Sequence, residues 1–312
     1  GHWLLDGDAG GWLAPARPAL RVAGRHQEYG GDVPNIVLGG KEGGATVSAG
    51  RASLRFTPDE TLRVDLTGSY SRDQRSNTVW LLRSAPGFPV SSNDVRPEGE
   101  RKIASISLEI EKSLGGAMLT SATNYQHIDI YSFDDFTDSL IYAAWLGGSL
   151  SDWSDPTVDV GSVKDRERLF NQEFRLSSAP GAAMSWVIGT NYFRSEYRTV
   201  RDMQSSMWPT TNGLTDNRII SETIAAFGDV TIPLNSAFSV SGGLRLAHDR
   251  QKLDGSYLSN GFTGTVPSLL QTNRYADSYL TGRGALSWKI SERATAYASI
   301  THGYASGGFG RT

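Results

Sequence analysis

The chain has 312 residues, a net charge of −3, 38% hydrophobic and 10% aromatic residues, 35 glycines and no cysteine. Without cysteine there are no disulfides or thiolate metal sites, and without a broad positive field nucleic acid is not suggested as a partner. No apolar run approaches the ~18 residues of a membrane-spanning helix; IYAAWLGG at 141–148 is among the longest.

Along the chain, short turns alternate with long polar segments. PARP (15–18) precedes ALRVAGRHQ (19–27). RASLRF (51–56) turns at TPDE (57–60) into TLRVDLTGSYSR (61–72). There Leu54, Phe56, Leu62, Val64 and Leu66 share one face, and Arg55, Arg63, Asp65 and Thr67 the other. Such period-two alternation around Pro and Asp predicts a β-hairpin with one apolar face. The pattern returns at LGGA (114–117), APGA (179–182), PLNS (233–236) and SERA (291–294), each flanked by alternating arms. The turns recur at intervals of roughly 55–65 residues, a repeat of architecture rather than of sequence.

The intervening segments, 73–100, 132–164, 199–218 and 250–276, read as long loops. They exceed the ~12–15 residues usual in compact soluble domains, and they all fall at one end. Arms of about 10–14 residues are long for soluble strands (~5–6) and suit a tilted membrane-spanning strand (~9–11). Phe56, Trp186, Phe238 and Trp288 lie beside the short turns, with Tyr70, Tyr125, Tyr192, Tyr279 and Tyr304 further along. This predicts two aromatic girdles around an apolar band ~25 Å tall, with Trp288 and Tyr279 about 30 Å apart along one strand. In WVIGTNYF (186–193) both faces carry large apolar or aromatic groups, and the pattern leaves the lipid-facing side open. A soluble β-sandwich is the alternative architecture, and long strands with one-sided long loops argue against it.

Several segments resemble TonB-dependent outer-membrane receptors of the siderophore-receptor type. NQEFRLSSAPGAAMSWVIGTNYF resembles the family's QEFRL–turn–WxxGxxY/F hairpin, and IAAFGDVTIPLNSAFSVSGGLRLAHD its AxFGxx–turn–xGxRxxxD hairpin. ATAYASITHGYASGGFG is similar to the family strand YASYSRGYKSGGFN, while ALRVAGRHQEYGGDVPNI and GRASLRFTPDETLRVDLTGSYSRD fit earlier strands. The matches are spread over most of the chain in family order.

The resemblance implies an all-β, antiparallel transmembrane barrel of 22 strands holding a plug, monomeric when intact. Residues 1–312 are expected to supply about eleven or twelve of those strands as one partial barrel domain. The plug, the peptide that engages the TonB complex and the last strands are expected outside it. Short turns face the periplasm and long loops the exterior of the bacterial outer membrane. The implied partners are outer-membrane lipid and lipopolysaccharide, the TonB complex and a small-molecule ligand such as a metal chelate, foremost a ferric siderophore. No cofactor is implied. Leu62, Val64 and Leu66 are expected to meet lipid and Arg63 the lumen.

No catalytic or metal-binding pattern stands out. The five histidines (His2, His26, His127, His248, His302) are scattered, without an HExxH or i, i+4 pair. DDFTD (134–138) and DWSDPTVD (152–159) crowd carboxylates without EF-hand spacing and read as a solvated acidic loop. SGGFG (306–310) lacks the Lys-Ser/Thr of a phosphate loop and reads as a bend or bulge. The long loops are rich in aromatics, of which Phe133, Phe136, Trp145, Trp153 and Trp208 are candidate ligand contacts by region. A receptor-transporter is therefore the leading function and not an enzyme; a passive porin-like channel and an outer-membrane barrel enzyme are the alternatives.

Overall fold

The computed structural model describes residues 1–13, 18–76, 80–136, 138–206, 209–261 and 267–309. Its strands are β1 (His2–Trp12), β2 (Ala19–Tyr29), the short β3 (Val33–Pro34) and β4 (Lys41–Glu42), β5 (Ala45–Asp59), β6 (Leu62–Arg75) and β7 (Glu98–Ser113). They continue as β8 (Ala117–Asp135), β9 (Val160–Ser178), β10 (Ser185–Gln204), β11 (Gly213–Pro233), β12 (Phe238–Ser259), β13 (Leu269–Ser291) and β14 (Ala294–His302). Among the described residues, twelve of these form one antiparallel sheet in chain order, β1 and β14 standing at its edges, and β3 pairs with β4 alone. The expected all-β meander and its strand number are both present.

Each expected turn joins the strands it was expected to join. Asp59 accepts from the Thr61 N–H at 2.7 Å, and Asn235 accepts from the N–H groups of Ala237 and Phe238 at 2.8 and 2.9 Å. Such side-chain bonds imitate a backbone turn. Gly115 reverses the chain at φ +82°, a conformation L side chains rarely adopt. Two register shifts, Phe56/Asp59 and Lys289/Ser291, lie at these turns, where water can satisfy the bulged backbone.

The two faces differ in exposure. Tyr197, Ile219 and Leu253 lie side by side across β10, β11 and β12 and are buried together, with Phe309 packed against them. Ala225 and Ala247, on the same face, are buried too. In a twisted, curling sheet this covered face is the concave, inner one. The opposite face presents Ile188 (55% exposed), Ile224, Leu246 and Leu280 to the surroundings. Val64, Ile110 and Leu66 lie on that outer face. Arg63 lies on the inner face, within 3.1, 3.2 and 3.0 Å of Asp65, Glu109 and Glu111. For WVIGTNYF the register decides the open question: Trp186, Ile188, Thr190 and Tyr192 are outer, Val187, Gly189, Asn191 and Phe193 inner.

Two expectations need correction. Phe56, Trp186, Phe238 and Trp288 do share the outer face near the short turns, and Phe238 stacks on Trp288 with centroids 5.8 Å apart. Tyr279, however, pairs with Ala247 on the inner face and stacks on Tyr304 at 4.0 Å. An odd sequence separation puts Tyr279 and Trp288 on opposite faces, so Leu280 takes the outer position there. Second, the strands run well into the expected loops: β10 reaches Gln204, β11 begins at Gly213 and β12 reaches Ser259. Their upper parts are charged enough to read as loop, yet cross-strand pairs such as Arg198–Asp216 (2.6 Å) and Arg218–Glu196 (2.6 Å) stitch them into the sheet.

The facing is testable in the full-length protein. Val64→Arg should destabilise the folded state by up to about 2–4 kcal/mol near the bilayer midplane, and Arg63→Ala by much less. Equal costs in reversible unfolding from lipid, or the reverse order, would show the register displaced by one.

Candidate ligand-capture site

At the end opposite the short turns, residues 30–44, 80–97, 138–159, 205–206 and 209–212 pack into a platform held by buried carboxylates. Glu42 is fully buried and accepts from the side-chain amides of Asn35 (2.6 Å) and Asn93 (3.3 Å). Asp138 accepts from the Ser92 N–H at 3.0 Å and its hydroxyl at 2.8 Å. It also caps the helix α1 (Ser139–Leu146) through the Ile141 N–H. Asp135 takes the N–H groups of Asp94 and Val95 at 3.0 and 3.2 Å. Asp159 takes the Ser206 N–H at 2.7 Å, its hydroxyl at 2.6 Å and the Ser205 hydroxyl at 3.1 Å. Gly31 permits the close approach of the first segment: a Cβ there would stand 2.2 Å from the Glu42 carbonyl oxygen.

These contacts correct the reading of 134–138 and 152–159 as a solvated acidic loop. Asp135, Asp138 and Asp159 are only 2–4% exposed. A buried carboxylate is tolerable when several donors are aimed at it, and each has them. Asp152 and Asp155 do remain exposed. The N–H and hydroxyl of Ser149 hold the Asp152 carboxyl below its ordinary range, and the hydroxyl and N–H of Thr157 do the same for Asp155. Asp94 goes the other way, its pKa pushed up by burial with the charge of Asp155 adding to it, while hydrogen bonding to Asp135 opposes the rise. Sequence alone held one signal of this role: Asp138-Ser139 before a run of seven apolar residues is a helix N-cap pattern.

The five candidate aromatics do not converge. Phe133 pairs with Ser162 at the top of β8, on the outer face. Phe136 directly follows β8, its ring so close to Gly161 that a Cβ there would be 2.6 Å away. Trp145 projects from α1, 69% exposed. Trp153 stacks on the buried Tyr142 with centroids 5.7 Å apart and donates its Nε1–H to the Gly147 carbonyl at 2.7 Å. Trp208 lies outside the described residues.

Phe136 helps line a cavity of about 270 Å³ on the inner face, together with Tyr197, Thr199, Arg201, Met203 and Asn217. Two aromatic rings, a thioether, an amide and several hydroxyls suit a bulky organic ligand, and the charged lining is mixed, Arg201 standing with Asp134 and Asp165. Thr199, Arg201 and Asn217 were not singled out from the sequence because 199–218 reads as a loop. Among the described residues, no group of His, Cys, Asp and Glu is placed to hold a metal ion directly.

Residues 53–312 match the family model described as "TonB dependent receptor-like, beta-barrel". The chain is 23% identical over 286 residues to the pesticin receptor of Yersinia pestis, covering 89% of this chain and 38% of that receptor. It superposes on the ferric yersiniabactin uptake receptor FyuA of Yersinia pestis with a TM-score of 0.79 at 17% identity, covering 100% of this chain and 46% of the other. On the siderophore receptor PiuA of Acinetobacter baumannii the TM-score is 0.66 at 12% identity, covering 96% and 47%. The chain thus spans less than half the length of these relatives.

Asp138→Ala in the full-length protein should release α1 and loosen the platform by roughly 1–3 kcal/mol, since it removes an N-cap and strands the donors of Ser92. Limited proteolysis should then cut within 136–159 while the strand content stays constant. Unchanged protease resistance would show that Asp138 does not hold the platform.

Proposed function

The chain belongs to the TonB-dependent receptor β-barrel family of the outer membrane, and from that premise we propose that it is the ligand-capturing wall of a receptor importing an iron chelate, foremost a ferric siderophore. The observation that carries this reading is the inner-face cavity beneath the stapled platform, with Phe136, Tyr197 and Arg201 around it. The aromatic faces pack on the organic scaffold of the chelate, and Arg201 offers a positive charge in a cavity that Asp134 and Asp165 also line. Transport is energised through the TonB complex, engaged by a region outside residues 1–312. The outer face meets outer-membrane lipid and lipopolysaccharide, and the receptor works as a monomer. Relatives named for siderophores support iron chelates over other scarce ligands.

In the full-length receptor, deletion of 140–156 should weaken binding of radio-iron-labelled ferric yersiniabactin, or of whichever ferric siderophore the wild type binds in a panel. Arg201→Ala should weaken it by about 1.5–3 kcal/mol, the range of a hydrogen bond to a charged group. Both variants should reach the cell surface normally. Unchanged affinity in both, with normal display, would remove this site from ligand capture; no binding of any ferric siderophore by the wild type would remove the substrate class.

A further inference from the structure

Residues 303–309 depart from the ladder. β13 and β14 pair as far as Gly282–His302, and beyond His302 the chain turns onto the inner face. A continued strand would place Tyr304 on the outer side with His302; instead it stacks on the inner-face Tyr279. Gly307 and Gly308 let the segment lie close to the wall. A Cβ at Gly307 would stand 3.1 Å from the Tyr275 ring, and one at Gly308 2.9 Å from the Gln251 amide oxygen. Phe309 then packs against Tyr197, Ile219 and Leu253. The bend expected at SGGFG is thus a crossing of the inner wall.

The crossing gathers hard oxygen atoms at one spot. The phenolic oxygens of Tyr275 and Tyr304 are 2.8 Å apart, and Asp277 Oδ2 accepts from Tyr275 at 3.3 Å and from Tyr304. Asp249 stands directly opposite Asp277, and its Oδ1 is buried without a hydrogen-bond partner. Two carboxylates facing each other across strands are destabilising unless a positive charge answers them. The salt bridges of β10–β13 join Arg194 to Glu222, Arg198 to Asp216, Arg218 to Glu196, Lys252 to Asp254 and Arg283 to Asp229. Among the described residues none reaches Asp249 or Asp277. An organic cation held between aromatic faces does not fit here, because the Tyr279 and Tyr304 rings already lie on one another, 4.0 Å apart and 16° from parallel. What the cluster presents is its oxygens.

We infer that Tyr275, Tyr304, Asp277 and Asp249 form an inner-wall site for the ferric ion itself, bound through side-chain oxygens and without an organic chelator. Carboxylate and phenolate are hard, anionic ligands suited to a small ion of high charge, and tyrosine is a known iron ligand in haem proteins. An octahedral ion with metal–oxygen bonds of about 2.0 Å holds neighbouring oxygens about 2.8 Å apart. The Tyr275, Tyr304 and Asp277 oxygens therefore form one face of the coordination shell with little movement. Each phenol gives up its proton to water as its oxygen becomes a ligand, and the carboxylates of Asp277 and Asp249 add the remaining negative charge. The row Phe193–Thr223–Asp249–Asp277 lies four residues nearer the short turns than Tyr197, Ile219 and Leu253. The site thus stands between the capture cavity and the short turns. It goes beyond chelate capture, and its assay contains no siderophore, so the two readings fail separately.

Titration of the full-length receptor in detergent with ferric nitrilotriacetate tests the assignment. The wild type should bind iron saturably and develop the visible phenolate-to-iron charge-transfer band. Y275F/Y304F keeps both rings and should lose the band, weakening binding by more than the roughly 10–100-fold that removal of an outer partner costs. Y304F alone should lower and shift the band, which keeps the test decisive if heat-modifiable migration shows the double variant misfolded. D277N should weaken binding while the band persists at saturation. Gallium(III) should displace the iron, and calcium at the same concentration should not. No band in the wild type, or an undiminished band in the phenylalanine variants, would overturn the proposal. Displacement by calcium would overturn it in favour of a plain carboxylate cation site.

Discussion

Backbone hydrogen bonding in a medium without water governs this molecule. In lipid, every N–H and C=O must be satisfied inside the protein, and a continuous antiparallel ladder does that. Once the ladder is fixed, the side-chain period of two commits alternate residues to opposite worlds. The register from β5 to β13 runs unbroken between its ends, and the two register shifts fall at the short turns. A slip of one residue would carry Arg63, Asp65 and Glu109 into lipid together. The polar network on the inner wall thus enforces register by the cost of every alternative.

Above the membrane the constraint relaxes, and a different way of holding chain takes over. Among the described residues the platform contains little apolar core: Ala85, Val90, Pro97 and Tyr142 are its buried apolar side chains. Its order comes from carboxylates and amides that each gather several donors, as Glu42, Asp138 and Asp159 do. Buried polar groups that are fully satisfied specify geometry closely, because any shift leaves a donor or acceptor without a partner. A capture surface needs such geometry: a segment ordered before its ligand arrives does not have to be ordered at the expense of binding.

Much of the wall was legible in the sequence. The five turns announce themselves through Pro, Gly, Asn and Asp between alternating arms, and the family motifs sit on the hairpins they should occupy. Three features were hidden for physical reasons. Arg198, Asp216 and Arg218 look like loop residues one at a time, because the partners that make them strand residues are some twenty positions away. The inward turn of Tyr279 follows from parity, which spacing in ångströms conceals. The burial of Asp135, Asp138 and Asp159 depends on Ser92, Val95 and Ser206, donors from segments that only the fold brings near.

The account stands most directly on one strand, β11, which passes from apolar band to charged upper part on a single face. Spin labels placed singly from Arg218 to Ala226 in the reconstituted full-length receptor would report oxygen and nickel-chelate accessibility at each position. The account predicts a period of two throughout. Positions 224 and 226 should be accessible to oxygen and 218 to the nickel chelate, with the odd positions shielded from oxygen in the membrane. Uniform accessibility along the strand, or odd positions facing lipid, would contradict it.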